Sequence, residues 1–247
     1  FIPALSGYLL ERLSLALPFD HFIAMSQTTK NKLIRVGISP KKITVIYGGV
    51  EVKSLQHLKV SKKTRPTIVT LARLVEYKRI QDLINALPLI KTKIPDVQLL
   101  VLGEGPYKRS LQQLTHQLNL TNHVIFMGNQ PHDQAMKILK SCHLFSLPSL
   151  VEGFGLVTIE AMATGVPYIN SNIPPTKEIT QNGIGGDLYP VKDHKTLAHK
   201  AIKLLTDKKY YQSKIIQAAD FVPRYDWTTI TRQTLDVYTN QINIPKE

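Results

Sequence analysis

Cysteine and carboxylates are the scarce residues of this chain. Its 247 residues include one cysteine, Cys142, so no disulfide can form within it and nothing calls for an oxidising compartment. A cytoplasmic location is the default expectation. Asp and Glu number 18 against 31 Lys and Arg, a net charge of +13. That excess predicts attraction to anions, and by itself it does not choose among nucleic acid, acidic lipid headgroups and phosphorylated small molecules. Neither a basic stripe interleaved with aromatics nor a nucleic-acid motif is evident, so nucleic acid is not expected as a partner. Long hydrophobic runs are also lacking. The apolar opening "FIPALSGYLLERLSLALPF" is interrupted by Glu11 and Arg12 and lacks a basic start, which reads as neither signal peptide nor membrane span. The 8 histidines show no zinc-ligand spacing. His143 beside Cys142, and His194 with His199, read as packed or solvated, and no bound metal is expected.

What is present is a globular composition, 43% apolar and 20% charged. From Thr67 onward short β-rich runs ("TIVTLA", "VQLLVLG", "HVIFMG", "HLFSLPS", "VPYINS" and the weaker "GDLYP") alternate with longer segments whose apolar residues recur at helical spacing, as at Leu83, Ala86, Leu87 and Ile90. Continuous apolar strands alternating with helices predict a doubly wound parallel α/β sheet covered on both faces, with ligands beyond the carboxyl ends of the strands. Upstream, "HFIAMS", "QTTKNKLIRVG" and "ITVIYGG" predict another strand, helix and strand. The polar "EVKSLQHLKVSKKTRP" reads as a connector, and the chain after "GDLYP" as three helices. The first 50 residues are few for a domain, and the chain does not open on Met. Both features lead to the expectation of a piece of a longer protein.

The stretch "PSLVEGFGLVTIEAMATGVPYINS" puts Glu152 and Glu160 on either side of a glycine-containing turn that opens a helix near Leu156. Gly153 and Gly155 let backbone approach a ligand, and the free amides of a helix start favour a bound anion. Flanking carboxylates accept hydrogen bonds from hydroxyl groups, so a ligand with a central phosphate and a polyol at each end suits the arrangement. The alternative is a solvated loop glutamate and an acid favoured near a helix start. A second cluster lies in "TLARLVEYKRIQDLINAL": Arg73 ends its strand, and Lys78 with Arg79 opens the next helix, where an anion would offset the unfavourable dipole. Either cation can equally extend into water, and Arg79 is read as solvent-facing. "VLGEGPYKRSL", with Gly103 and Gly105, is a third strand-to-helix turn, a phosphate seat or simply a tight turn. Glu178 reads as a surface helix residue.

Together these features resemble the retaining glycosyltransferases of family 4, whose GT-B architecture faces two Rossmann-like domains. The likeness rests on the E-x7-E pattern from Glu152 to Glu160 with its surroundings, on Arg73 with Lys78, on "GEGP", on "GGDLYPVKDHKTLAHKAIKLL" and on the terminal "YDW" with its helix. It implies that Arg73 and Lys78 bind the donor pyrophosphate and stabilise the leaving diphosphate, with Gly103 at the same site. Glu152 would face the transferred sugar and Glu160 the ribose hydroxyls. The backbone at Phe154, Gly155, Leu156 and Val157 would contact sugar and phosphate. It implies a Rossmann-like C-terminal half of a GT-B enzyme: residues 1–55 as the end of an acceptor-binding domain plus hinge, residues 56–247 as the nucleotide-sugar domain, and a last helix at about 227–243 packing back toward the other lobe. The implied activity is transfer of a hexose from a nucleoside-diphosphate sugar to an acceptor hydroxyl with retained configuration and no cofactor or metal. The acceptor, a sugar or lipid-linked glycan, would be held mainly by the lobe preceding this chain, with peripheral contact to a cytosolic membrane face, and the chain alone would turn over poorly. The hinge "VIYGGVEV" departs from the commoner "VIPNGVD". The rival readings are a GT-B phosphorylase or sugar-nucleotide epimerase, and a non-catalytic basic module for lipid or nucleic acid.

Overall fold

The computed structural model describes residues 17–242, so the reading of residues 1–16 falls outside the described residues. Six apolar runs become the strands β3 (Thr67–Leu71), β4 (Gln98–Leu102), β5 (Val124–Gly128), β6 (Leu144–Leu147), β7 (Tyr168–Ser171) and β8 (Gly186–Tyr189). They form one parallel sheet in the order β5-β4-β3-β6-β7-β8. The strand order therefore reverses between β3 and β6, which makes the carboxyl ends of those two strands the topological switch point of the sheet.

Alternation along each strand divides the core into two layers. Ile68, Leu99, Val101, Leu144 and Ile169 pack on one face against α3 (Ile80–Lys91) and α8 (His194–Thr206). Val69, Leu100, Leu102, Phe145 and Tyr168 pack on the other against α5 (His132–Ser141), α6 (Leu156–Ala163) and α9 (Lys208–Phe221). The period-2 geometry of a strand buried on both faces requires this split. Helix α4 (Lys108–Gln117) follows β4.

A smaller parallel pair, β1 (Phe22–Ala24) and β2 (Ile43–Val45), flanks α1 (Gln27–Arg35). The expected connector contains a helix instead, α2 (Val52–His57), whose Val52 and Leu55 are buried in the large core. Two apolar residues three apart in that polar stretch are its helical signal. At the hinge, Val50 N–H donates to Tyr225 O at 2.8 Å and Trp227 N–H to Val50 O at 3.2 Å. The last helix, α10 (Trp227–Ile242), runs from this crossing beside the small sheet, its Val237 sharing cavities with His21, Ile23 and Thr44–Tyr47. Among the described residues no helix is long and apolar enough to cross a membrane.

Glu178, in α7 (Pro174–Ile179), is not the plain surface residue that was expected. Its Oε1 accepts Gln27 N–H at 2.5 Å and its Oε2 accepts Thr28 N–H at 3.4 Å, capping α1 from the other sheet's unit. The first amides of a helix have no intrahelical acceptor, and a carboxylate there also complements the dipole. Ser26 completes the cap through Thr29 N–H, and its hydroxyl donates to Gly153 O at 3.3 Å.

Candidate functional site

The turn after β3 and the turn after β6 face each other across the switch point. After β3 the chain makes a 3-10 turn, Glu76–Lys78, and Arg79 takes a left-handed conformation, φ 55°, before α3 begins at Ile80. Lys78 therefore precedes the helix rather than lying on it. Its Nζ reaches Glu152 Oε1 at 2.6 Å, with only 16% and 9% of the two side chains exposed. Arg79, expected to face solvent, instead clamps Asp82 with two hydrogen bonds of 2.6 and 3.1 Å. Asp82 is buried in the first turn of α3, and Arg79 supplies the counter-charge that a buried carboxylate requires.

Gly155 caps α6 in a left-handed conformation, φ 93°, a region that a residue without Cβ enters freely. Asn170 in β7 fixes this helix start from below: its Oδ1 accepts Leu147 N–H at 2.7 Å and its Nδ2 donates to Thr158 Oγ1 at 2.9 Å. Leu156 and Val157 open α6, and the first-turn amides of a helix have no acceptor within it. The side chain of Phe154 turns away into a buried aromatic group, stacked on Tyr47 at 5.7 Å and edge-on to Tyr225 at 6.2 Å. Only its backbone is left for a ligand. Gly103 has a close-packing reason of its own, since a Cβ there would stand 2.1 Å from Ala72 O. The turns after β3 and β4 are stitched together by Leu74 N–H to Glu104 O and Tyr107 N–H to Leu74 O, both 2.9 Å.

A cavity of 420 Å³ opens at this place, lined by Tyr77, Lys78, Val151, Glu152 and Gly153. The structure thus brings Lys78, Glu152 and the glycine turn together. Arg73, Gly103, Phe154, Gly155, Leu156, Val157 and Glu160 do not line this cavity. Arg73 is exposed on the β3 turn. Glu160 lies one turn into α6 with 16% of its side chain exposed, and its Oε1 is 3.9 Å from His132 Nδ1 at the start of α5. Burial raises the Glu160 pKa above the ordinary carboxyl range, and the nearby His132 opposes that shift. Among the described residues no group of three or more His, Cys, Asp and Glu is placed to hold a metal ion. Another cavity, of 290 Å³, lies where β6 begins and has no carboxylate in its lining; Leu204, Tyr211 and His143 are among its walls. It is at the opposite rim from the ion pair.

Tyr77, Val151 and His132 were not anticipated as site residues. Tyr77 had a signal, a large aromatic next to a candidate phosphate-binding lysine; Val151 and His132 had none beyond lying in strand-to-helix turns. Asn170 also had one, since an amide inside an otherwise apolar buried strand needs partners.

Residues 52–220 match the profile of the glycosyl transferases group 1 family. The chain belongs to that family. As a group 1 glycosyltransferase it is similar to the phosphatidylinositol N-acetylglucosaminyltransferase gpi3 subunit of Schizosaccharomyces pombe, 28% identical over 222 residues that cover 89% of this chain and 48% of the relative. It is also similar to the phosphatidyl-myo-inositol mannosyltransferase of Mycolicibacterium smegmatis, 29% identical over 174 residues, 70% of this chain and 44% of that one. The chain spans about half the length of these curated relatives. Among solved structures, Anabaena Alr3699/HepE in complex with UDP-glucose superposes with a TM-score of 0.80 at 22% identity, covering 90% of this chain and 64% of that one. Sucrose-phosphate synthase of Thermosynechococcus elongatus gives 0.82 at 24% identity, covering 95% and 61%. These structures carry the fold: the expected Rossmann-like doubly wound sheet of GT-B type is what the chain adopts.

Proposed function

We propose that this group 1 glycosyltransferase chain is the donor-binding half of a retaining, metal-independent enzyme that moves a hexose from a nucleoside-diphosphate sugar to an acceptor hydroxyl. The observation that carries the reading is the meeting of Lys78 and Glu152, a cation and an acid from the two turns that flank the switch point, in one open cavity. Ligands of open α/β sheets bind at this place. Lys78, joined by the exposed Arg73, stabilises charge on the departing diphosphate, as cationic side chains and a helix start do where a divalent ion is not used. Glu152 faces the transferred sugar. The amides that open α6 take phosphate oxygens, and Glu160 accepts the ribose hydroxyls. A relative's structure in complex with UDP-glucose is in keeping with such a donor.

The acceptor belongs to a lobe preceding this chain, against which β1, β2 and α10 would pack. Two relatives are named for phosphatidylinositol acceptors. With the +13 charge, that favours a lipid-linked acceptor met at the cytosolic face of a membrane. The chain alone binds donor and turns over slowly, because front-side transfer needs the acceptor lobe closed over the site.

The test is to incubate the protein with UDP- and GDP-sugars and phosphatidylinositol vesicles in the presence of EDTA, following released nucleoside diphosphate and the anomeric proton of the product by NMR. Slow, EDTA-resistant release and a product with the donor's anomeric configuration are expected. Inversion, or complete loss of release with EDTA, overturns the reading.

A further inference from the structure

The cavity at the switch point has a polar interior and an apolar rim. Its charged pair is sheltered, while Tyr77 is 46% and Val151 59% exposed. These two large side chains fill no core. The turns that carry them are tied together by backbone: Leu150 N–H donates to Tyr77 O at 2.8 Å, joining the β3 turn to the β6 turn one residue from each of Lys78 and Val151. Tyr77 also lies within the 3-10 turn Glu76–Lys78, and Lys78 Nζ is 5.9 Å from its ring centroid. An aromatic ring, a branched aliphatic and an ammonium–carboxylate pair thus share one opening.

That combination matches the chemistry of a pyranose. A hexose ring presents a face of C–H groups and an edge of hydroxyls; the C–H face packs on an aromatic ring, and the hydroxyls require charged or polar partners. A bare nucleoside diphosphate lacks that ring and can offer the rim only its base or ribose, so comparing it with the sugar nucleotide shows which group the rim takes. We propose that Tyr77, with Val151 on the same rim, is the platform for the donor's hexose, and that it makes the site prefer a sugar nucleotide over the corresponding nucleoside diphosphate. The inference rests on the donor-site reading above, and adds a specificity-determining residue to it.

The experiment is calorimetric titration of the parent chain, Tyr77→Phe and Tyr77→Ala with UDP, UDP-glucose, UDP-N-acetylglucosamine, GDP and GDP-mannose, with circular dichroism to verify folding. Because Tyr77 contributes its carbonyl rather than its ring to the turn, both variants should fold as the parent does. For the sugar nucleotide that the parent prefers, Tyr77→Ala should bind about three- to tenfold more weakly while its nucleoside diphosphate changes by less than about twofold. Tyr77→Phe should match the parent. Unchanged sugar-nucleotide binding in Tyr77→Ala, or an equal loss for sugar nucleotide and nucleoside diphosphate, overturns the inference and leaves the donor site standing. Binding of no nucleotide by the parent overturns the donor site, and the platform with it.

Discussion

Lys78 and Glu152 neutralise each other across the seam between β3 and β6, Nζ to Oε1 at 2.6 Å. A diphosphate arriving at this seam meets a lysine already engaged, so it must draw the ammonium away from the carboxylate or share it. Glu152→Gln removes the competitor and keeps the shape. Bare nucleoside diphosphate should then bind about two- to fivefold more tightly at low salt, with the gain shrinking as salt is added, while hexose transfer falls because the sugar loses its acid. Titration at two ionic strengths checks the first effect. Weaker nucleoside diphosphate binding would contradict it.

Glu160 should set stability against function. Burial raises its folded pKa above the unfolded value. Its favourable contribution is therefore present below the unfolded pKa and lost as pH rises through the folded one. Glu160→Gln has no charge to lose. The variant should melt higher than the parent near pH 7, by about 2–4 °C for each kcal/mol of relieved desolvation, and the gap should close as the pH falls to about 4. His132, with Nδ1 3.9 Å from the Glu160 carboxylate, works in the opposite sense. Donor binding should weaken in Glu160→Gln although the fold is firmer. Thermal melts across pH, beside titration with a sugar nucleotide, check both halves.

Two glycines separate ligand approach from packing. A Cβ on Gly153 meets nothing within 4 Å, whereas one on Gly103 would stand 2.1 Å from Ala72 O at φ 124°. Gly153→Ala should therefore melt with the parent and lose donor affinity by about tenfold if a sugar or phosphate lies against that backbone. Gly103→Ala should cost about 2 kcal/mol of stability or more. Chemical denaturation and donor titration of the two variants give the four numbers. Full donor affinity in Gly153→Ala would move the ligand off this turn.

The cap that Glu178 places on α1 joins residues 151 positions apart. Glu178→Ala should cost about 1–2 kcal/mol, and amide exchange should accelerate within residues 27–35 before it does so elsewhere. Glu178→Gln, which can still accept one amide, should recover part of the loss. Hydrogen exchange by mass spectrometry distinguishes this local loosening from a global one.

The architecture was legible because strands buried on two faces leave unbroken apolar runs, and each run between Thr67 and Tyr189 became a strand of the sheet. The helix start at Leu156 was legible from the glycine turn before it, and the E-x7-E spacing from positions along the chain alone. Long-range partners were not. Nothing near Glu178 in sequence shows that α1 needs a carboxylate, and although Asp82 is only three residues from Arg79, its burial is set by packing from distant parts of the chain. Helix α2 was hidden because Val52 and Leu55 are too short a stripe to stand out in a polar segment. The pairing of Lys78 with Glu152 follows from the order of strands, which spacing along the chain does not contain.

The central claim is that the switch-point cleft holds a nucleoside-diphosphate sugar through its cations. The most direct measurement is calorimetric binding of UDP-glucose and GDP-mannose to the parent, Lys78→Ala and Arg73→Ala, all shown to be folded. Binding of at least one donor by the parent, weakened about tenfold or more by Lys78→Ala and to a lesser degree by Arg73→Ala, is the expected result. Donor binding of equal strength in the parent and in both variants would contradict it.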